Sequence, residues 1–265
     1  MFELVKSLLK EFAESTIRWV RKLSVFSRIK RRHEQEYHGL REYGYFVSPE
    51  FLSRDICNEM ISDIDTYLDK EKGRINIWSD EVGADQRVYF IESINDKFKN
   101  FYEEPYFREV LASYTGITEP KGFVLAARID AVNGNIGSGG GWHRDSPVHH
   151  QTKALCYLSD VHQNNGPFQY ISRSHSKRSV ISAYVKGIFR PGQYRFTNEN
   201  IEHYLDRSGQ EIVEINAGAG TLVFADTKGI HRGKPITEGR RYVLFCYFWD
   251  KNIPEQFEAL RQPRQ

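Results

Sequence analysis

Cysteine is scarce in this chain, and the few there are do not pair. Cys57, Cys156 and Cys246 are odd in number, far apart, and form neither a C-x-x-C pair nor a zinc-ribbon spacing. A disulfide framework and a thiolate metal site are therefore not expected, and buried free thiols in a reducing cytosol are. Long apolar runs are also missing. No stretch reaches the roughly 18 residues that a membrane-spanning helix needs, and no uninterrupted apolar segment follows the first lysines, as a secretory signal would require. The glycine-rich run at 137–141 lacks the G-x-x-x-x-G-K-[ST] spacing and a following helix, which excludes a phosphate loop. Gly137-Ser138-Gly139 reads as only part of a serine-hydrolase elbow. Neither an internal repeat nor a low-complexity tract is evident.

Charge of one sign is absent overall but not locally. The 37 Lys/Arg and 35 Asp/Glu leave +2, yet residues 1–32 hold nine Lys/Arg against three Glu, a local +6 that leaves −4 for the rest. An acidic body argues against a nucleic-acid binder, whose positive charge is spread over a docking face. The basic segment is itself amphipathic. Val5, Leu8, Leu9, Phe12, Thr16, Trp19, Val20, Leu23 and Phe26 recur at three- and four-residue steps. It is read as a helix that packs on the domain or on a second subunit, or lies on an anionic membrane surface.

What the chain does have is aromatic residues, 14% of the whole, on a length suited to one domain with extensions. Residues 1–36 are expected as a basic helical segment and 37–265 as the domain. A short strand at 44–47 precedes a helix capped by Ser53, with Ile56, Met60, Ile61, Ile64 and Leu68 on one face. Helices follow at 94–102 and 105–114, where Pro105 suits a first turn and Gly116 an exit. Beyond residue 122 the pattern changes to short apolar runs at 123–129, 154–158, 168–171, 211–215, 221–224 and 242–249, separated by Gly, Asn and Pro. The expected fold class is mainly β with flanking helices (α+β), a sandwich or barrel rather than a β-α-β array.

The most informative segment is Gly137-Ser138-Gly139-Gly140-Gly141-Trp142-His143-Arg144-Asp145. His143 and Asp145 are two apart and point the same way on an extended chain. With a second imidazole they make a two-His-one-carboxylate facial triad, the ligand set of non-haem iron(II) oxygenases. A second segment, 220–233, closes a strand-turn unit with His231, and an arginine ten residues later opens the next strand. On an adjacent antiparallel strand that arginine would stand near the metal, where its planar fork can hold a carboxylate. Arg240 and Arg241 compete for this place because neighbours on a strand face opposite ways.

At this point the sequence resembles the phytanoyl-CoA dioxygenase family of double-stranded β-helix (jelly-roll, cupin-like) oxygenases, over about residues 40–249. The resemblance is carried by Gly44-Tyr45-Phe46-Val47 with Phe51-Leu52-Ser53, by Trp142-His143-Arg144-Asp145, and by Tyr157-Leu158-Ser159-Asp160-Val161. Asn165-Gly166-Pro167-Phe168, Ser172-Arg173-Ser174-His175 and the His231 segment complete it. It implies that His143, Asp145 and His231 bind Fe(II) and that an arginine at the start of the next strand binds 2-oxoglutarate. Arg241 matches that pattern, and it would share an inner face with Val243, Phe245 and Tyr247. Arg128, on the strand before the metal segment, is expected to bind a cosubstrate or substrate carboxylate.

The implied reaction consumes 2-oxoglutarate and O2, releases succinate and CO2, and hydroxylates an aliphatic carbon. An insert at about 173–210 mixes cations with aromatics. It is expected to overhang the barrel mouth, suiting an anionic small molecule, sugar or lipid-linked substrate. His149 and His150 are read as a solvated loop, His175 as architectural and Asp226 as a turn former. The expected location is cytoplasmic, peripheral to a membrane if residues 1–32 dock there. A non-catalytic barrel and a zinc hydrolase on the same three ligands are the rival readings.

Overall fold

The computed structural model describes residues 2–25, 32–70, 73–145, 152–250 and 252–263. Its elements run α1 (Phe2–Val25), α2 (Glu34–Glu42), β1 (Tyr45–Ser48), α3 (Arg54–Lys70), β2 (Ile77–Ser79) and β3 (Asp85–Tyr89). Next come α4 (Asp96–Tyr102), α5 (Pro105–Thr115), β4 (Lys121–Asp130), β5 (Thr152–Tyr157), β6 (Phe168–Ile171), α6 (Lys177–Val185) and α7 (Asn198–Ser208). The last are β7 (Ile212–Ile215), β8 (Leu222–Asp226), β9 (His231–Gly233), β10 (Arg240–Trp249) and the short α8 (Glu255–Glu258).

A strand that is apolar at almost every position must be covered on both faces, and β10 is such a strand. It sits mid-sheet in the order β1-β8-β5-β10-β4-β3-β2, antiparallel to both neighbours. Its Tyr242, Leu244, Cys246 and Phe248 join a core shared with α2 to α5, while Val243, Tyr247 and Trp249 join a second core on the other face. β4, β5 and β8 alternate in the same way. The second core is closed by the three-stranded sheet β7-β6-β9. Two antiparallel sheets facing each other, with helices outside the larger one, form the expected jelly roll. The side chains of β10 therefore sort into a helix side and an inner side.

Local signals behave as their chemistry dictates. Ser53 Oγ accepts from Ile56 N at the start of α3. Pro105 stands in the first turn of α5, and Gly116 ends it at φ +79°. The buried face of α3 is Met60, Ile64 and Leu68 as expected, with Ile61 packed at its edge; only the first position differs, where Cys57 is buried and Ile56 exposed. The three cysteines are buried and free.

The segment 173–210 carries α6 and α7 around a small core of its own. Phe189, Phe196, Tyr184 and Tyr204 pack there with Trp142 from the metal segment. These aromatics were expected at a pocket mouth and instead hold this lobe together. Helix α1 lies against α5 and α6, and among the described residues no helix is long and apolar enough to cross a membrane.

Candidate metal centre and cosubstrate pocket

His143 and His231 are 88 positions apart in the chain, and a pair of backbone bonds unites them. His143 N donates to His231 O at 3.0 Å and His231 N donates to His143 O at 2.8 Å. This antiparallel bridge sets the two rings 4.3 Å apart, centre to centre. Asp145 N donates to Thr227 O at 2.8 Å, which extends the same pairing and turns the carboxylate to the same side as His143. One ligand atom from each of His143, Asp145 and His231 then lies within 4.8 Å of the others. The glycine run makes this approach feasible. Gly139 sits at φ +88°, and a Cβ there would collide with the His143 ring.

Both imidazoles are oriented for ligation. His143 Nδ1 lies 2.9 Å from Gly141 O, and His231 Nδ1 lies 2.9 Å from Gly229 O. A carbonyl can only accept, so Nδ1 carries the proton and the Nε2 lone pair faces the cluster. The Nε2 of His231 is buried and has no hydrogen-bond partner. Burial pushes His143 down to about 4 and His231 well below its ordinary value, so both rings are neutral near neutral pH. Burial alone would raise the Asp145 carboxyl, but the Lys153 ammonium outweighs it and holds it well below the usual carboxylate range. Two neutral imidazoles, an ionised carboxylate and an orphaned buried nitrogen fit a divalent cation.

His143 and His231 open on a pocket between the sheets, lined mainly by apolar side chains that include Leu155, Phe168, Val243 and Phe245. Arg241, Val243, Phe245 and Tyr247 all reach it from the inner face of β10. Arg241 is only 2% exposed, and its Nε has no hydrogen-bond partner. Burial lowers its pKa, the mark of a cation held without enough compensation. Such a guanidinium fits a carboxylate ligand. Arg240 faces the other way and is bound by Asp130 and Tyr242.

Arg128 departs from expectation. It stands opposite Tyr242 across β4 and β10, which puts it on the helix side of the sheet. Its guanidinium binds Asp65, Asp69 and Gln86 at 2.7–2.9 Å, and it is absent from the pocket lining. The cosubstrate role expected for it is therefore withdrawn. The cations of 173–210 do not line the pocket either; Arg195 instead donates to the Gly139 and Gly140 carbonyls and Arg173 binds Glu42. His175 is buried with Nε2 beside Arg41 O, and Asp226 ends β8 with a bond from the Tyr114 hydroxyl, both structural positions. His149 and His150 lie outside the described residues.

Two pocket cations escape a reading based on motifs. Lys153 Nζ lies 2.8 Å from Asp145 Oδ2 and 4.8 Å from the centre of the Tyr247 ring. Arg87 forms a two-pronged pair with Asp85 at 2.8 and 2.6 Å and donates to Ser138. Lys153 was legible in principle. It precedes Leu155 and Tyr157 by two and four positions, so strand alternation assigns it to their inner face.

No curated protein sequence matches the chain. Among solved structures, the epimerase SnoN in complex with Fe3+, alpha ketoglutarate and nogalamycin RO superposes with a TM-score of 0.60 at 16% identity, over 83% of this chain and 84% of that one. The carbocyclase SnoK from nogalamycin biosynthesis gives 0.57 at 17%, over 82% and 83%. HygX from Streptomyces hygroscopicus, with nickel, 2-oxoglutarate and hygromycin B bound, gives 0.55 at 15%, over 82% and 86%. At these identities the likeness establishes the fold. The family assignment rests on the profile for phytanoyl-CoA dioxygenase, which matches residues 40–243 and so takes in the triad, Arg241 and every strand up to the start of β10: this chain belongs to the phytanoyl-CoA dioxygenase family.

Proposed function

We propose that the protein is an iron(II)- and 2-oxoglutarate-dependent oxygenase in which His143, Asp145 and His231 hold the metal and Arg241 holds the far carboxylate of 2-oxoglutarate. The observation that carries this reading is Arg241: a buried guanidinium with an unpartnered Nε, in the pocket that His143 and His231 line. A zinc hydrolase on the same three ligands would have no use for it. Iron(II), 2-oxoglutarate and O2 together supply oxidative decarboxylation coupled to oxidation of a C–H bond. The chain contributes orientation and a dry wall. The Nδ1 bonds fix both imidazoles, and Leu155, Phe168, Val243 and Phe245 keep water from the reacting centre.

The outcome proposed is hydroxylation of an aliphatic carbon of an anionic small molecule, sugar or lipid-linked substrate. Three cations, Arg87, Lys153 and Arg241, line the pocket, whereas the carboxylates they meet are Asp85 and Asp145, so the cavity favours anions. SnoN and SnoK are named as an epimerase and a carbocyclase. Helix α1 adds the proposal of peripheral contact with an anionic membrane. Leu9, Phe12 and Trp19 are 62–64% exposed on a helix that also carries exposed Lys6 and Lys10.

The test is titration of the protein under argon with Fe(II) and then 2-oxoglutarate, watching for the weak visible charge-transfer band of the chelate. The band should grow to one equivalent in the native protein and be absent from Asp145→Ala. A native protein that gives no band and binds no 2-oxoglutarate overturns the reading.

A further inference from the structure

We propose that Lys153 is a positioning residue of the metal centre: it pins one oxygen of Asp145 and offsets that ligand's negative charge, so that a dianionic cosubstrate can bind beside it. The inference rests on the iron and 2-oxoglutarate reading above and assigns a part to a residue outside the triad and Arg241.

Lys153 cannot be an ordinary surface lysine. It stands between Ala225 on β8 and Tyr247 on β10, in the middle of the large sheet, and its side chain retains 13% of its exposure. Strand alternation sends it inward with Leu155 and Tyr157. Its Nζ has two neighbours of note, Asp145 Oδ2 at 2.8 Å and the face of Tyr247 at 4.8 Å. A buried ammonium persists only when it is paired, and Asp145 is the carboxylate that pairs it.

The other two pocket cations cannot substitute. Arg87 is engaged through Nε and Nη2 by Asp85, so its charge is already met. Arg241 lies at the start of β10, where it is assigned to the far carboxylate. Of the three pocket cations, Lys153 is the one paired with a triad residue. A carboxylate ligand cancels half the charge of a divalent ion, which weakens the attraction for a second and a third carboxylate in a low-dielectric pocket. An ammonium on the ligand's other oxygen restores part of that attraction. It also keeps the carboxylate from swinging, so that Asp145 presents its remaining oxygen to the metal.

The test compares the native protein with Lys153→Met, Lys153→Gln and Lys153→Arg under argon, where no turnover occurs. Iron(II) is supplied in excess and 2-oxoglutarate is titrated, reading both its Kd and the position of the charge-transfer band. Lys153→Met should weaken 2-oxoglutarate binding about tenfold or more, as expected when a buried counter-charge is removed. Its band should move to longer wavelength, because an undiminished Asp145 makes the iron richer in electrons. Lys153→Arg should recover most of both properties. Lys153→Gln keeps a donor without the charge and should resemble Met; if Met fails to fold, Gln carries the comparison. A Met or Gln variant with native Kd and native band, even if it melts earlier, overturns the proposal and leaves Lys153 as packing. A native protein that forms no band overturns the iron reading itself, a different result from native behaviour in the variants.

Discussion

Arg128 and Tyr242 face each other across β4 and β10, and both hydrogen-bond Asp65, at 2.8 and 2.7 Å. The bonds tie α3 to the outer face of the large sheet, and Arg128 adds Asp69 from the next turn of the helix. One residue earlier on β10, Arg241 faces the pocket. Neighbouring positions on a single strand thus face opposite sides of the sheet, one toward the helices and one toward the pocket.

Arg128→Ala should accordingly destabilise the fold by about 2–3 kcal/mol, since it leaves Asp65 and Asp69 without their cation. Chemical denaturation measures this loss. The 2-oxoglutarate affinity of the folded variant should stay native, and a tenfold weakening would return Arg128 to the site.

Arg241→Ala should raise the Kd for 2-oxoglutarate by about 100-fold, the equivalent of roughly 3 kcal/mol for a buried charge-assisted contact. Arg240→Ala should change it little, because that side chain is 45% exposed and held by Asp130. Calorimetry under argon reads both variants, and reversed effects would mean that the strand register is wrong by one residue.

A pH effect is expected from Glu92, remote from the triad. Its Oε2 accepts from Val124 N, and burial pushes the carboxyl up from 4.5 to about 7. A raised carboxyl pKa means that the fold binds the proton more tightly than the unfolded chain does. Its contribution is therefore complete below about pH 4.5 and is lost as pH rises through about 7, a change of at most about 3 kcal/mol. His143, pushed down to about 4, acts with the opposite sign between there and its ordinary value. Denaturation of the native protein and Glu92→Gln across this range isolates the term, and parallel curves would exclude it.

Membrane contact through α1 is tested by sedimentation with vesicles. The full chain should pellet with anionic vesicles at low salt and release at high salt, since each cation near the surface adds about 1 kcal/mol. A form that starts at Glu34 should remain in solution. Equal behaviour of the two forms would assign the exposed apolar side chains of α1 to a protein contact.

The sequence alone was enough for the fold class and for naming His143, Asp145 and His231, which the structure brings together, because both are written in local terms. A His-x-Asp pair on extended chain shares a side whatever surrounds it, and β-branched and aromatic runs broken by Gly and Asn make strands. The choice between Arg240 and Arg241 was almost as local, since alternation leaves one of two answers. Only the tertiary structure could decide which face of the sheet was inner. β4 and β10 are apolar on both sides, so their hydropathy does not distinguish helix side from pocket side, and Arg128 was expected on the wrong one. The aromatics of 173–210 were misplaced for a related reason: composition says that rings will be buried but not against which partner, and here Trp142 draws them into a core of their own. Lys153 needed the structure most. Its partner Asp145 is eight positions away, a spacing that no strand or helix period brings together, so the ion pair is visible only in three dimensions.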